Sequence, residues 1–250
     1  MYRRSRTLIP TARAMSVMSK APSCTLLAGK RERPAWEDDN SKDDPRVGDA
    51  HIREVLFDGK SLAKLRHSGR FAYQAEVQPV FQNPYASLDP RFTIGRSISE
   101  PLDVHRHGSH TWRRDRVKEL LLLVSLAPEV AARFPHELSS GQRQRAAIAR
   151  ALTLSPQLMV LDEAVSALDV VIQAQILKLL VRLQKELYLA YVFVSHDLAV
   201  VRQISHRVHV MKEGTIVESG MPDQLFDAPQ HPYTKALIEA IPGHAVSLGP

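Results

Sequence analysis

A chain of 250 residues, 44% hydrophobic and 24% charged, has the composition of an ordinary globular protein with room for one large domain or two small ones. No apolar run approaches the ~20 residues that span a bilayer, and the single cysteine, Cys24, excludes a disulfide framework and a multi-cysteine metal site. The net charge of +6 points toward nucleic acid, but residues 1–50 hold 10 Lys/Arg against 7 Asp/Glu, so half of the excess sits in a tail. A folded nucleic-acid binder instead gathers its basic residues on one face or helix.

In chain order, the tail comes first. Arg3, Arg4, Arg6, Arg13, Lys20, Lys30, Arg31 and Arg33 face one acid, Glu32, before an acidic run from Glu37 to Asp49. No apolar period runs through this segment, so it reads as mostly disordered. Regular patterning starts near His51. Arg53–Phe57 reads as a strand closed by the Asp58-Gly59 turn, and Val77–Phe81 as a second strand. Thr93–Val104 and Thr111–Leu126 are expected helices, followed by a basic-faced helix over Gly141–Leu154. Leu158–Leu161 is a short apolar strand that ends in two acids. Val170–Leu187 repeats Ile172, Ile176, Leu179, Leu180, Leu183 and Leu187 at helical spacing. Tyr191–Val194 reads as a buried strand, Asp197–Ile204 as a helix, and Arg207–Met211 with Thr215–Glu218 as a hairpin. Strands alternating with helices predict an α/β fold, a parallel sheet with helices on both faces.

Four segments carry chemistry. In Leu158-Met159-Val160-Leu161-Asp162-Glu163 an apolar strand delivers two carboxylates to the edge of the sheet where α/β ligands bind. Adjacent strand residues point to opposite sides, so the two acids can hold different roles. Acids also simply end many buried strands. In Leu138-Ser139-Ser140-Gly141-Gln142, Ser139 is a good N-cap, and the N–H groups of Ser140, Gly141 and Gln142 at the helix start suit a phosphate oxygen. An ordinary capped helix has the same sequence pattern. His196 follows the strand Tyr191–Val194, a position more often structural than catalytic. Gln82 follows the strand that ends at Phe81, and alone it says almost nothing.

Their order and spacing are specific. Gln82, Leu138–Gln142, Asp162-Glu163, Ser166-Ala167-Leu168-Asp169 and His196 resemble the Q-loop, signature, Walker B, D-loop and H-loop of ABC ATPases. The stretches Pro79–Pro101 and Ser139–Leu152 and the closing His231–Leu237 resemble the oligopeptide/dipeptide importer subfamily. The resemblance runs from about Glu54 to Pro242. It implies a P-loop NTPase-like sheet over 51–242, with a helical subdomain near 93–140 and a tail over 243–250. It also implies ATP and Mg²⁺ as cofactors. Asp162 and Gln82 would serve the metal, Glu163 would be the general base, and His196 would contact the γ-phosphate. Ser139, Ser140, Gly141 and Gln142 would bind the nucleotide of a partner subunit, and Asp169 would cross that interface. Implied partners are transmembrane permease subunits, a second ABC ATPase subunit and, indirectly, a solute-binding protein, with no nucleic acid. The implied place is the cytoplasmic face of the cell membrane.

One family motif is absent from these residues. G-x-x-x-x-G-K-[ST] occurs nowhere: Gly59-Lys60-Ser61 has Glu54 where the first glycine belongs, and Gly29-Lys30 has Cys24 there and Arg31 after the lysine. Without that loop there is no backbone cradle for the β-phosphate. Ser140 replaces the first glycine of the signature pair, and Ala164 the proline after Walker B. His105, His107 and His110 lack ligand spacing and read as a solvated loop. The acid-free start, residues 1–31, also fits an organelle transit peptide. A frameshifted or relocated start agrees better with the bacterial resemblance.

Three functions are thus expected, in this order. The first is a peptide-importer ATPase subunit without its own ATP site. The second is a non-catalytic partner lending its signature segment to an intact ATPase, and the third a soluble ABC protein acting on nucleic acid or ribosomes. In the family the P-loop strand lies inside the sheet, so its loss leaves a vacancy. The apolar stretch Cys24–Ala28 is the expected surrogate strand, with aggregation as the alternative.

Overall fold

A computed structural model describes residues 13–18, 56–57, 60–84 and 87–241. The strands are β1 (Arg13–Met18), β2 (Leu56–Phe57), β3 (Lys60–Ser61), β4 (Val77–Val80), β5 (Leu158–Asp162), β6 (Ala190–Ser195), β7 (Arg207–Lys212) and β8 (Thr215–Gly220). The helices are α1 (His67–Glu76), α2 (Ile94–Val104), α3 (His110–Leu123), α4 (Ser140–Leu152), α5 (Val170–Leu187), α6 (Leu198–Ile204), α7 (Pro222–Asp227) and α8 (Pro232–Glu239). Six strands form one sheet in the order β4-β5-β6-β1-β7-β8, while β2 and β3 pair as a separate short hairpin.

The alternation of β5 and β6 explains why the sheet is covered on both sides. Met159, Leu161, Tyr191 and Phe193 point to one face, where they join Ile148 and Leu152 of α4 and Ile176, Leu180 and Leu183 of α5. Leu158, Val160, Ala190 and Val192 point to the other, with Phe57 of the hairpin packed against them. Each fully buried large side chain of this kind contributes roughly 1.5–3 kcal/mol. The Tyr191 hydroxyl sits in the core and donates to Leu180 O at 3.0 Å.

A helical unit stands beside the sheet. Thr93 caps α2 and Ser109 caps α3, each accepting a backbone N–H three residues on. Helix α4 ties this unit down. Thr153, which caps its C-terminus, donates to Ile98 O of α2 at 3.0 Å, and Arg150 pairs with Glu100 at 2.8 Å. The C-terminal carbonyls of α3 accept from Arg145 of α4 and Arg182 of α5. The last elements close on β8 through Glu218, which accepts the backbone N–H groups of Gln230 and His231. Burial acts to raise the Glu218 carboxyl, but the neighbouring Thr234 hydroxyl and these two donors hold it below its usual range.

The centre of the sheet departs from the expected pattern. Strands β4, β5 and β6 are mutually parallel, and β1 lies between β6 and β7, antiparallel to both. Residues 1–50 were expected to be disordered, yet Arg13–Met18 supplies a central strand. Its register runs from Ala14 opposite Ser195 to Met18 opposite Tyr191. The physical reason is the slot itself: without β1, β6 and β7 each present a row of unpaired N–H and C=O groups to it. The expected surrogate, Cys24–Ala28, lies outside the described residues.

Candidate functional site

Three parallel strands deliver the candidate residues to one edge. Strand β4 ends at Val80, two residues before Gln82. Strand β5 ends at Asp162 with Glu163 directly after it, and β6 ends one residue before His196. Glu163 adopts a left-handed backbone conformation, φ 49°, and its N–H donates to Val194 O at 2.9 Å, which binds the acid to the neighbouring strand. Its side chain is only 10% exposed, while that of His196 is 56% exposed, and His196 Nδ1 lies 3.4 Å from Glu163 Oε1. Gln82 Nε2 donates to Ser166 Oγ at 3.2 Å, and Ser166 Oγ donates to Glu163 O at 2.9 Å. Hydrogen bonds thus link Gln82, Ser166 and Glu163, and the His196–Glu163 contact extends them to residue 196.

Asp162 differs from its neighbours. Half-buried at the strand end, its carboxylate makes no hydrogen bond or ion pair with a described residue. One such carboxylate, with the Gln82 amide just beyond the end of adjacent strand β4, suits Mg²⁺, which keeps most of its ligands from water and phosphate. No group of three or more His, Cys, Asp or Glu able to hold a metal exists among the described residues. In particular, His105 stacks on Phe71 at 4.0 Å and His107 leans on Trp112 at 5.1 Å.

Ser166 is the residue that sequence reasoning undervalued. It stands in the segment Ser166–Asp169, but its role as the link between Gln82 and the Glu163 backbone depends on a partner 84 positions away. The flanks of His196 had a local signal. Ser195 Oγ accepts Asp197 N–H at 3.0 Å, and Asp197 caps α6 by accepting from Ala199 and Val200. Such short side-chain-to-backbone turns fix the backbone that carries the histidine. Gln173 of α5 then donates to Asp197 Oδ2 at 3.2 Å.

The signature residues form a second group, at the starts of α4 and α5. Ser139 accepts Gln142 N–H at 3.3 Å and its own N–H donates to Gln142 Oε1 at 3.0 Å, a reciprocal capping box. The Gln142 N–H is thereby used internally. Those of Ser140 and Gly141 have no acceptor among the described residues. Asp169 caps α5 by accepting Ile172 N–H at 3.0 Å.

Gly141 is needed for packing as well as for any approach to phosphate. A Cβ placed there would lie 2.7 Å from Ile172 Cγ2. Gly141→Ala is therefore expected to push the starts of α4 and α5 apart, at a cost of about 1–3 kcal/mol. At roughly 2–4 °C per kcal/mol in a chain of this size, thermal unfolding should drop by several degrees. Adding Ile172→Ala should recover part of the loss; an unchanged Tm for the single variant contradicts the packing role.

Among the described residues the edge has no phosphate cradle of the usual kind. A P-loop follows a strand that ends at this edge and opens into a helix. Here the strand beside β6 is β1, whose first residues, not its last, lie level with Ser195. The chain enters at that point instead of leaving it. Gln82, Asp162, Glu163 and His196 are assembled at this edge, and no strand-to-helix loop of the G-x-x-x-x-G-K-[ST] kind faces it among the described residues.

Comparison with known proteins gives the family. The ABC transporter family matches residues 49–166, and the oligopeptide/dipeptide transporter C-terminal region matches residues 217–248. A glutathione import ATP-binding protein, GsiA, of Pectobacterium atrosepticum is 52% identical over 189 residues, covering 76% of this chain and 30% of that protein. A probable peptide ABC transporter ATP-binding protein, y4tS, of Sinorhizobium fredii is 51% identical over 197 residues, covering 79% of this chain and 56% of that one. The chain thus spans about a third to just over half the length of these relatives. Among solved structures, cbiO1 from Clostridium perfringens, part of the ABC transporter complex cbiONQ, aligns with a TM-score of 0.63 at 30% identity over 70% of this chain and 68% of that one. With its assembled strand-edge residues, its signature helix and its C-terminal region, the chain belongs to the ABC transporter ATP-binding family, in the oligopeptide/dipeptide importer group.

Proposed function

We propose that this chain is an ATP-binding subunit of a peptide-type ABC importer, built to couple ATP hydrolysis to solute uptake, and deficient in holding its own nucleotide. The observation that carries the proposal is the convergence of Gln82, Asp162, Glu163 and His196 on one sheet edge. Asp162 is the free carboxylate that would hold Mg²⁺. Glu163, fixed through its backbone to β6, is placed to polarise a water, and His196 is placed to hold a proton or an anionic oxygen beside it. Gln82 connects this edge to the segment that follows β4. That segment starts with the half-exposed Phe81 and is suited to report the state of the edge to a permease subunit.

Ser139, Ser140, Gly141, Gln142 and Asp169 serve a neighbouring ATPase subunit in this reading. The free N–H groups of Ser140 and Gly141 at the start of a 13-residue helix are the donors offered to that partner's nucleotide. No helix among the described residues is long and apolar enough to cross a membrane. In this reading the membrane passage is supplied by permease subunits. The relatives are named a glutathione import ATP-binding protein and a probable peptide ABC transporter ATP-binding protein, which favours this reading over a partner that only lends its signature segment.

A chimera tests it. Replacing residues 1–55 with a family segment that carries G-x-x-x-x-G-K-[ST] should yield Mg-ATP turnover. Glu163→Gln in that chimera should reduce turnover by about 100-fold or more. A chimera that binds ATP but turns it over equally well with Glu163→Gln sinks the assignment of the edge.

A further inference from the structure

A groove of about 320 Å³ opens between α2, α3 and the 3-10 turn at Pro128–Ala132, away from the strand-edge site. On α3, His110, Arg113, Arg114, Val117 and Lys118 all line it. Their spacing of three and four residues places them on one helix face. Arg96 reaches the same space from α2.

The charges in this groove do not balance. Asp103 is the one acid among its lining residues. Its carboxylate is shared between Arg96, 3.3 Å away, and Arg113, which also donates to His107 O at 2.8 Å. Lys118 pairs with Asp115 at 3.2 Å on its own helix. Four cations, Arg96, Arg113, Arg114 and Lys118, thus face two acids even when Asp115 is counted. Arg114 has no hydrogen bond or ion pair among the described residues.

The placement also works against the helix. Arg114 stands four residues from Lys118, and like charges at that spacing destabilise an α-helix. The floor of the groove is apolar, formed by Val117, Pro128 and Ala131. Guanidinium groups recognise phosphate and carboxylate through paired N–H donors. The volume lies at the lower end of small-ligand sites.

We propose that this groove binds a small polyanion, a molecule that presents two or more phosphate or carboxylate groups to Arg96, Arg113 and Arg114 and rests its apolar part on Val117 and Pro128. The site is separate from the strand-edge residues, so it stands or falls independently of the nucleotide chemistry.

Calorimetric titration of the 250-residue chain at low salt, with pyrophosphate and with citrate, tests the proposal. Saturable one-to-one binding is expected for at least one of them, and the tighter of the two identifies the phosphate or the carboxylate class. Arg114→Glu should weaken it by about tenfold or more. The same substitution turns the 114/118 pair into an attractive one, so Tm should hold or rise as binding falls. Lys178→Glu on α5 is the matched control, since it reverses one exposed charge and turns the pair with Arg182 attractive in the same way. It should leave affinity within about twofold, as screened, distant charges do. No saturable binding of either probe, or equal weakening by both substitutions, overturns the proposal.

Discussion

Ser16→Pro is expected to lower the unfolding temperature by roughly 6–12 °C or more, and deletion of residues 13–18 to abolish cooperative unfolding. The first figure follows from a proline in a central strand, which loses a ladder donor and clashes with its neighbours at a cost of about 3 kcal/mol or more. Ser16 stands opposite Phe193 on one side and Val208 on the other, so β1 has no solvent-facing edge to hide the defect. The deletion is worse. It strips partners from five positions of β6 and five of β7. Each buried group left unpaired costs roughly 1–3 kcal/mol, against a total stability near 5–15 kcal/mol. Circular dichroism melts of the three chains provide the measurement. A deletion variant that melts like the intact chain would show that β1 is not part of the folded sheet.

Most of the site-bearing core was legible because its signals are local. The apolar run Leu158–Leu161 followed by two acids marked β5. The helical spacing of Ile172 to Leu187 after the capping residue Asp169 marked α5 over the residues observed. Ser139, Thr93 and Asp197 announced helix starts that the structure places within a residue or two. The short helix α1 was missed. His67–Glu76 carries Gly69 and only two large apolar side chains, Phe71 and Tyr73, and it forms against the hairpin, where Phe57 meets Tyr73 edge-on at 5.3 Å.

Strand β1 was missed for a different reason. Arg-Ala-Met-Ser-Val-Met has one β-branched residue, and Cys24–Ala28 is the more apolar stretch. Strand formation here depends on the backbone slot between β6 and β7, which is nearly two hundred residues away in sequence. The same limit applies to the site. The residue types at 82, 163 and 196 were readable, but the Ser166 link that joins Gln82 to Glu163 belongs to tertiary structure. Gly141 shows the converse. Its place at a helix start was plain, and its contact with Ile172 was not.

In the proposed function, Gln82, Asp162, Glu163 and His196 form a hydrolytic edge beside a middle strand, β1, that runs the wrong way to supply a phosphate cradle. Phosphate positioning provides most of the catalysis in this chemistry, so Glu163 and His196 have nothing to act on unless the nucleotide is already held. The most direct test is Mg-ATP turnover by the purified 250-residue chain beside its Glu163→Gln variant. Neither chain should turn ATP over above background. Turnover by the chain that disappears with Glu163→Gln would contradict it, because such a result requires a nucleotide held productively at the β5–β6 edge without a P-loop.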